Sequence, residues 1–374
     1  MENPPSTDWF SIRNADTLSS PALLVYPERV RINIQRMLQR VGNDPSRLCP
    51  HVKTIKTEPL IRMMVDEGIT RFKCATIAEG ETALKAGAQS VLLAIQPSKP
   101  VAERWLTLAE AFPDRSLSTV VDCPESAEWL ASLAKEHQAS FNVYLDLNVG
   151  MDRTGIAPNQ AALDLITSIL STEGLHFAGL HAYDGHLHQP SAEDRQQACD
   201  DWHRSIRTFA SQVSQLTGTP PPIIAGGTPT FPMHAATDDL ICSPGTCVLW
   251  DAGYAHHFKD LNFLWALVVM CRVISKPTPD TLCLDLGHKA IASEMSPPRI
   301  AFFNLEAGSF VSHSEEHLVV SSPQASQLKV GSILYGIPWH VCPTVALHQQ
   351  LHVVEDNQST STWEVIARNR RINH

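Results

Sequence analysis

The chain has 374 residues, of which 43% are hydrophobic and 18% charged, and its formal net charge at pH 7 is −10. This length exceeds the usual size of one compact core, so it predicts one large domain and a smaller one. The acidic balance argues against nucleic acid as a ligand and leaves no basic stripe for a membrane surface, and no apolar run reaches the roughly 18 residues that would span a bilayer.

The chain begins with MENPPSTDWFSIRN, which lacks the basic-then-apolar order of a signal peptide, so we expect a cytoplasmic protein. A β-rich run follows at 21–26, and we expect the segment 1–30 to join a C-terminal β domain. Further on, short apolar runs alternate with helix-like patterns such as TIAEGETALKAGA (76–88). The eight predicted strands of this region lie at 47–53, 71–76, 90–95, 118–122, 141–147, 177–183, 221–227 and 239–245.

Eight strands that alternate with amphipathic helices predict a closed, parallel (β/α)8 TIM barrel, which we place at residues 31–255. After about residue 250 the apolar stretches are separated by turns and show little helical periodicity. This pattern indicates a mainly antiparallel β domain over residues 256–374. The predicted fold class is therefore α/β, with a barrel followed by a β domain.

Two glycine-containing loops follow the last two predicted strands, AGGTPTF (225–231) and SPGTC (243–247). Barrel enzymes commonly bind a phosphate group after these two strands. Glycine lets the backbone approach an anion closely, and threonine adds a hydroxyl donor. Each motif alone is also typical of a plain turn, but the occurrence of both at the expected loops favours a phosphate site. The residues concerned are Gly226, Gly227, Thr228, Gly245 and Thr246.

Two lysines occur in CPHVKTIKTEP (49–59), and Lys53 falls at the end of the first predicted strand. The rim of the barrel at that point faces the predicted phosphate site. A lysine there can form a Schiff base, and the phosphate site suggests pyridoxal phosphate as its partner. The alternative is an ordinary rim lysine. We expect Lys56, three residues later, to be solvated or supporting.

Further motifs run in order through nearly the whole chain: SPALLVY, PHVKTIKT, GMDRTGI, GLHAYDGH, GGTPTF, SPGTCVLWD, LGHKAIASE, EEH and PWHVCPTV. With them the chain resembles the D-threonine aldolase and D-serine dehydratase branch of the alanine racemase-like, fold-type III pyridoxal phosphate enzymes. One departure is Ile55, where the family often has histidine. Because this position follows the anchor, we expect it to affect the choice of substrate and not the binding of the cofactor.

The resemblance implies roles for individual residues. Lys53 matches the lysine that carries the cofactor, Arg153 is expected beside the cofactor, and Tyr183 near its pyridine ring. His181 and His186, at the rim of the sixth predicted strand, are the further catalytic candidates, with a packing role as the alternative for either. The residues that the resemblance assigns to the phosphate are Gly227, Thr228, Gly245 and Thr246.

His340 and Cys342 form a His-x-Cys pair near the C-terminus, in a chain with nine cysteines and no CxxC motif. This scattered cysteine pattern predicts reduced, mostly buried thiols. In an extended segment, residues i and i+2 face the same side, so both side chains could bind one divalent ion and leave positions for water and substrate. The resemblance places the family's metal at this pair. Thiolate and imidazole suit zinc and tolerate manganese or cobalt, and magnesium stays open.

Together these features predict a lyase that uses pyridoxal phosphate and a divalent metal on a small-molecule D-β-hydroxy-α-amino acid. Retro-aldol cleavage of D-threonine is favoured, and β-elimination from D-serine or D-threo-3-hydroxyaspartate is the alternative. An amino-acid racemase would leave the His-x-Cys pair unexplained, and a cofactor carrier would not need the C-terminal domain. The resemblance also implies a homodimer in which the neighbouring subunit completes each active site.

Overall fold

The computed structural model describes residues 8–374, so the first residues of the predicted segment 1–30 lie outside the described part of the chain. The strands are β1 (Ala22–Val25), β2 (Arg71–Cys74), β3 (Ser90–Leu93), β4 (Ser116–Val121), β5 (Phe141–Asp146), β6 (Leu175–Ala182), β7 (Ile223–Ala225), β8 (Ile241–Cys242), β9 (Leu267–Ser275), β10 (Thr281–Leu284), β11 (Ile300–Phe302), β12 (Ser309–His313), β13 (Leu318–Ser321), β14 (Ile333–Pro338), β15 (Gln350–Glu355) and β16 (Gln358–Glu364). The helices are α1 (Pro27–Arg40), α2 (Glu58–Asp66), α3 (Ile77–Lys85), α4 (Lys99–Ala111), α5 (Pro124–Glu136), α6 (Gln160–Ser171), α7 (Ala192–Thr217), α8 (Phe231–Ala235), α9 (Ala252–His257) and α10 (Val341–Leu347).

The chain divides into two compact units. One, here named the barrel unit, consists of Gln35–Lys53, Glu58–Gly245 and Asn369–His374. The other, here named the β unit, consists of the residues up to Ile34, Thr54–Thr57 and Thr246–Arg368.

The barrel unit is built on a parallel sheet with the strand order β2-β3-β4-β5-β6-β7-β8. Leu48 forms a parallel bridge with Cys242 in β8, and His51 forms one with Lys73 in β2. The short segment from Leu48 to His51 therefore joins the two edge strands and closes the sheet into a ring. The prediction of an α/β barrel is confirmed.

The first predicted strand of the barrel, 47–53, is not a regular strand, and that expectation is wrong. Short 3-10 turns at Pro45–Arg47 and Val52–Thr54 flank the segment. Pro50 lies between them and has no N–H group to donate to a strand ladder. Its carbonyl still accepts a hydrogen bond from Lys73 N at 3.0 Å, so the segment keeps the place of a strand in the ring.

Local sequence explains where the barrel helices begin and end. Helix α3 starts with a reciprocal cap, because Thr76 Oγ1 accepts from Glu79 N at 3.2 Å while Glu79 Oε2 accepts from Ala75 N at 2.7 Å. The long helix α7 ends at Gly218, which takes the left-handed conformation with a φ of 78°. Among the helices of the described residues, none combines the length and the apolarity that crossing a bilayer requires.

The β unit is built on a mixed sheet with the strand order β12-β13-β10-β9-β1-β15-β16, and β14 pairs with both β9 and β11. Strand β1 is antiparallel to β9 and parallel to β15, whereas the other pairs are antiparallel. The predicted, mainly antiparallel β domain is confirmed. Phe10 stacks on Phe303 with the ring centroids 4.3 Å apart, and Tyr26 and Met270 belong to the same core.

Candidate active site

The predicted anchor Lys53 is an exposed residue of the barrel unit, two residues beyond His51 and its bridge to β2. Its backbone N–H donates to His51 Nδ1 at 3.2 Å. Lys56 belongs to the β unit, where its carbonyl accepts from Ala367 N at 3.1 Å and its φ is 51°. The two lysines therefore have different environments.

The two predicted phosphate loops meet at the carboxyl ends of β7 and β8. Gly245 N donates to Thr228 Oγ1 at 3.1 Å, which links one loop to the other. A Cβ atom on Gly227 would lie 3.2 Å from the ring of Tyr183, so this backbone runs directly beside the ring. Thr246, the last of the predicted phosphate residues, begins a 3-10 turn in the β unit.

A buried carboxylate, Asp184, supports the first of these loops. It accepts hydrogen bonds from Thr230 Oγ1 at 3.1 Å and from His234 Nε2 at 2.6 Å, and His234 Nδ1 lies 2.9 Å from His203 Nε2. Gly226 has a φ of 71°, and a Cβ there would lie 2.4 Å from the His234 ring. Glycine is therefore required at 226, and the loop rests on an imidazole that Asp184 holds in place.

Asp184, Cys199 and His234 also have ligand atoms within 4.8 Å of one another, an arrangement that could hold a metal ion. The hydrogen bonds argue for a structural network instead. Both ring nitrogens of His234 already have partners, and burial raises the pKa of the Cys199 thiol to about 12, which disfavours the thiolate that a metal would need.

Replacing Asp184 by asparagine is expected to weaken pyridoxal phosphate binding about tenfold and to leave pyridoxal binding unchanged. The amide places an N–H donor against either Thr230 or His234, and a mispaired buried group of this kind costs about 1–3 kcal/mol. Titration of both ligands measures the effect, and the exposed Asp114→Asn is the control. Equal losses for the two ligands would show that Asp184 does not act through the phosphate loop.

Three side chains form a buried chain of polar contacts across the barrel. Lys73 extends from β2 with 3% exposure, and its Nζ lies 3.4 Å from His181 Nε2. His181 Nδ1 lies 2.7 Å from Asp146 Oδ1 at the end of β5. Burial lowers the pKa of Lys73 to about 8, and the charge of Lys53 acts in the same direction. Burial would raise the pKa of Asp146, but the hydrogen bond and charge of His181, the Thr154 hydroxyl and the charge of Lys73 together lower that pKa.

Lys73, Asp146 and Asp184 were not predicted from the sequence. The available signals were a lysine inside the apolar strand RFKC, an aspartate that ends FNVYLD, and the aspartate of the YDGH motif. A charged residue in a strand ordinarily faces solvent. Only closure of the ring shows that the strand positions Lys73 and Asp146 face the interior, and Asp184 follows β6 by two residues.

Arg153, Tyr183 and His186 occupy the same unit. Arg153 Cζ lies 5.0 Å and Lys73 Nζ 5.5 Å from the centroid of the Tyr183 ring, distances at which a cation interacts with an aromatic face. His186 packs on Gly150, where an added Cβ would lie 2.8 Å from its Nε2. Its Nδ1 is buried and has no hydrogen-bond partner among the described residues. The structure thus groups His181 with Lys73 and Asp146, and His186 with the GMDRTG loop.

In the β unit, His340 and Cys342 lie together, although not in the extended segment that we expected. His340 is extended and caps α10, whereas Cys342 lies in the first turn of that helix, so the expectation of an extended pair is wrong. The Asp251 carboxylate accepts from Val341 N at 3.1 Å and thereby starts the helix. Pro343 is compatible with this first turn because no helical partner for its missing N–H is required there.

The His340 imidazole has two polar neighbours, since its Nδ1 bonds the Glu294 carboxylate and the Cys342 thiol acts on the ring electrostatically. Burial would lower the pKa of His340, but these two partners raise it to about 9. Cys342 Sγ lies 3.0 Å from Thr54 Oγ1 and 3.7 Å from Thr246 Oγ1. A carboxylate on one ring nitrogen of a metal-binding histidine is the usual orienting partner, so this donor set suits a divalent ion.

The barrel unit also suits pyridoxal phosphate. Ser243 Oγ, beside the second phosphate loop, is buried and has no hydrogen-bond partner among the described residues, so it is a free donor for an anion. The buried ammonium of Lys73 has no carboxylate within hydrogen-bonding distance in the part of the chain described. Both observations indicate an anionic ligand at this end of the barrel.

The fold and these donors define an enzyme of the fold-type III pyridoxal phosphate class. Residues 25–249 match the family described as alanine racemase, N-terminal domain, and residues 266–354 match the family described as putative serine dehydratase domain. Because the first match covers more than half of the chain, this protein belongs to the alanine racemase N-terminal domain family.

Similar proteins cover the chain almost completely. A D-threonine aldolase from Arthrobacter sp is 26% identical over 98% of this chain and 96% of its own, and a D-threo-3-hydroxyaspartate dehydratase from Delftia sp. (strain HT23) is 27% identical over 93% and 97%. The crystal structure of D-threonine aldolase from Filomicrobium marinum superposes with a TM-score of 0.86 at 22% identity, over 98% of this chain and 99% of that one. Aldolases and dehydratases are lyases, and this chain is an enzyme of that group.

Proposed function

We propose that this chain is a pyridoxal phosphate- and divalent-metal-dependent lyase on D-β-hydroxy-α-amino acids, which cleaves D-threonine to glycine and acetaldehyde. The observation that carries the proposal is the position of Cys342, whose Sγ contacts Thr54 at 3.0 Å and Thr246 at 3.7 Å. Thr54 directly follows the predicted anchor Lys53 in the sequence, and Thr246 directly follows Gly245. A homodimer with shared active sites stays a prediction from the family resemblance.

When bound, pyridoxal phosphate withdraws electrons from the bonds at the substrate α-carbon. Lys53 would hold the cofactor through its amine, and the amine of the substrate would take its place. The β-hydroxyl must lose its proton as the Cα–Cβ bond breaks, so a proton acceptor is required. His181 already contacts Asp146 and Lys73 through its two ring nitrogens, which favours His186 for this role.

His340 and Cys342 would hold the divalent ion, and Glu294 would orient the imidazole. An ion in that position supplies Lewis-acid stabilisation to a substrate oxygen. Because racemisation needs no metal ligands, the pair His340 and Cys342 favours a lyase reaction on a β-hydroxy substrate over racemisation.

β-Elimination to a 2-keto acid and ammonia is the second candidate. It is supported by the Delftia relative, which is named a dehydratase and is as similar to this chain, at 27% identity, as the aldolase from Arthrobacter sp at 26%. The two reactions differ in the proton that is removed. In the elimination, Lys53 would take the proton from the α-carbon.

Incubation of the protein, loaded with pyridoxal phosphate and manganese, with D-threonine is expected to give glycine and acetaldehyde in equal amounts. The products are quantified by chromatography, with L-threonine as the control substrate that should remain unchanged. Formation of 2-oxobutanoate and ammonia would select the second candidate. Racemisation of alanine without cleavage of any D-β-hydroxy amino acid would contradict both.

A further inference from the structure

We propose that Lys73 is a cofactor-contacting residue whose ammonium group pairs with the ionised ring oxygen of bound pyridoxal phosphate. This inference rests on the proposed function, because it requires the cofactor at Lys53. It adds a second lysine to the site, one that no sequence motif marked.

The burial of Lys73 calls for an anionic partner. Its side chain is 3% exposed, and the hydrogen bond that the described residues give its Nζ is the 3.4 Å contact with His181 Nε2. An ammonium group has three N–H donors, so this contact uses one and leaves two. A buried charge without a close counter-ion is costly, and it persists where a ligand supplies the opposite charge.

The neighbours of Lys73 place it beside the expected position of the cofactor ring. His51 pairs with Lys73 and accepts a hydrogen bond from Lys53 N at 3.2 Å, and the ring of Tyr183 lies 5.5 Å from Lys73 Nζ. Tyr183 in turn borders Gly227, where a Cβ would lie 3.2 Å from its ring. A cofactor with its aldehyde at Lys53 and its phosphate at the loop of Gly227 would have its ring between these two points, and Lys73 is linked to the first through His51 and to the second through Tyr183.

The Asp146–His181 pair fixes the direction of the Lys73 amine. With Asp146 accepting the Nδ1 proton, His181 carries its lone pair on Nε2, which can accept an N–H of Lys73. The remaining donors of Lys73 then point away from the imidazole. Apart from the phosphate, the ring oxygen next to the aldehyde is the anionic group of pyridoxal phosphate, so it is the partner that an ammonium group fits.

A binding cycle tests this contact. Titrations compare pyridoxal phosphate with its 3-deoxy analogue, which lacks the ring oxygen, on the wild type, on Lys73→Met and on the control Lys56→Met. The measured quantity is the ratio of the dissociation constants of the analogue and of pyridoxal phosphate. We expect this ratio to be about tenfold larger for the wild type than for Lys73→Met. The ratio for Lys56→Met should equal that of the wild type.

The same preference in Lys73→Met as in the wild type would overturn the inference and leave the proposed function intact. If Lys73→Met does not fold, the wild type still decides, because the absence of any preference for pyridoxal phosphate excludes the contact. A wild type that binds neither ligand would instead contradict the proposed function. Lys73→Arg, which keeps the charge, is expected to retain most of the preference.

Discussion

Replacing Lys53 by alanine is expected to abolish the visible absorbance of the covalent lysine–cofactor adduct and to lower the lyase activity at least about a thousandfold. Lys53 is the one proposed covalent link, and removing a group that forms a covalent intermediate removes the whole reaction path that depends on it. Lys53 itself is exposed between the buried Val52 and Thr54, so truncating its side chain removes no buried packing. Spectroscopy of the loaded protein and the D-threonine assay measure the two effects.

Lys56→Ala is the matched control for Lys53→Ala, because it removes a lysine three residues away that belongs to the other unit. It should keep the absorbance and the activity. Borohydride reduction followed by peptide mapping locates the adduct directly. This mapping matters because Lys73, with a pKa of about 8, is a second amine capable of reaction. An adduct on Lys56 or Lys73 in the wild type would refute the assignment of Lys53.

The barrel could be predicted from the sequence because alternation between apolar strands and amphipathic helices is a local pattern. Its first strand could not, because the single residue Pro50 removes a ladder donor without changing the apolar pattern around it. The helical start of α10 was missed for a different reason. It depends on a hydrogen bond from Val341 N to Asp251, 90 residues earlier in the chain, which no local pattern reveals.

The same distinction applies to the candidate site. Loop motifs such as AGGTPTF carry their chemistry in adjacent residues, so they could be recognised in the sequence. The supporting carboxylate Asp184 acts on His234, 50 residues away, and Lys73 meets His181 across 108 residues. These pairs exist only once the ring has closed. Sequence patterns therefore predicted the groups expected to touch the phosphate. They missed Asp184, which supports the phosphate loop, and Lys73, which places a buried positive charge in the barrel.

Removing the metal is expected to abolish turnover without removing the cofactor. Negative charge develops on the β-oxygen as its hydroxyl loses the proton, and it passes to the α-carbon as the Cα–Cβ bond breaks and the aldehyde forms; a divalent ion held by His340 and Cys342 would favour the deprotonated oxygen by several kcal/mol. Treatment with a chelator should therefore reduce the activity at least about a hundredfold while the absorbance of the bound cofactor remains. Added manganese, zinc or cobalt should restore turnover, and His340→Ala and Cys342→Ala should behave like the chelated protein.

Two further variants make this test specific. Cys123→Ala removes the other half-buried cysteine and should leave metal content and activity unchanged. Glu294→Gln removes the charge that orients His340 and should weaken metal binding about 10- to 100-fold, so that activity returns at higher metal concentration. Activity that survives complete metal removal would contradict both the aldolase and the dehydratase assignments, because each depends on an ion at His340 and Cys342. The remaining hypothesis would then be an amino-acid racemase that uses pyridoxal phosphate in the barrel unit without a metal. The contact between Cys342 and Thr54 would have only a structural role.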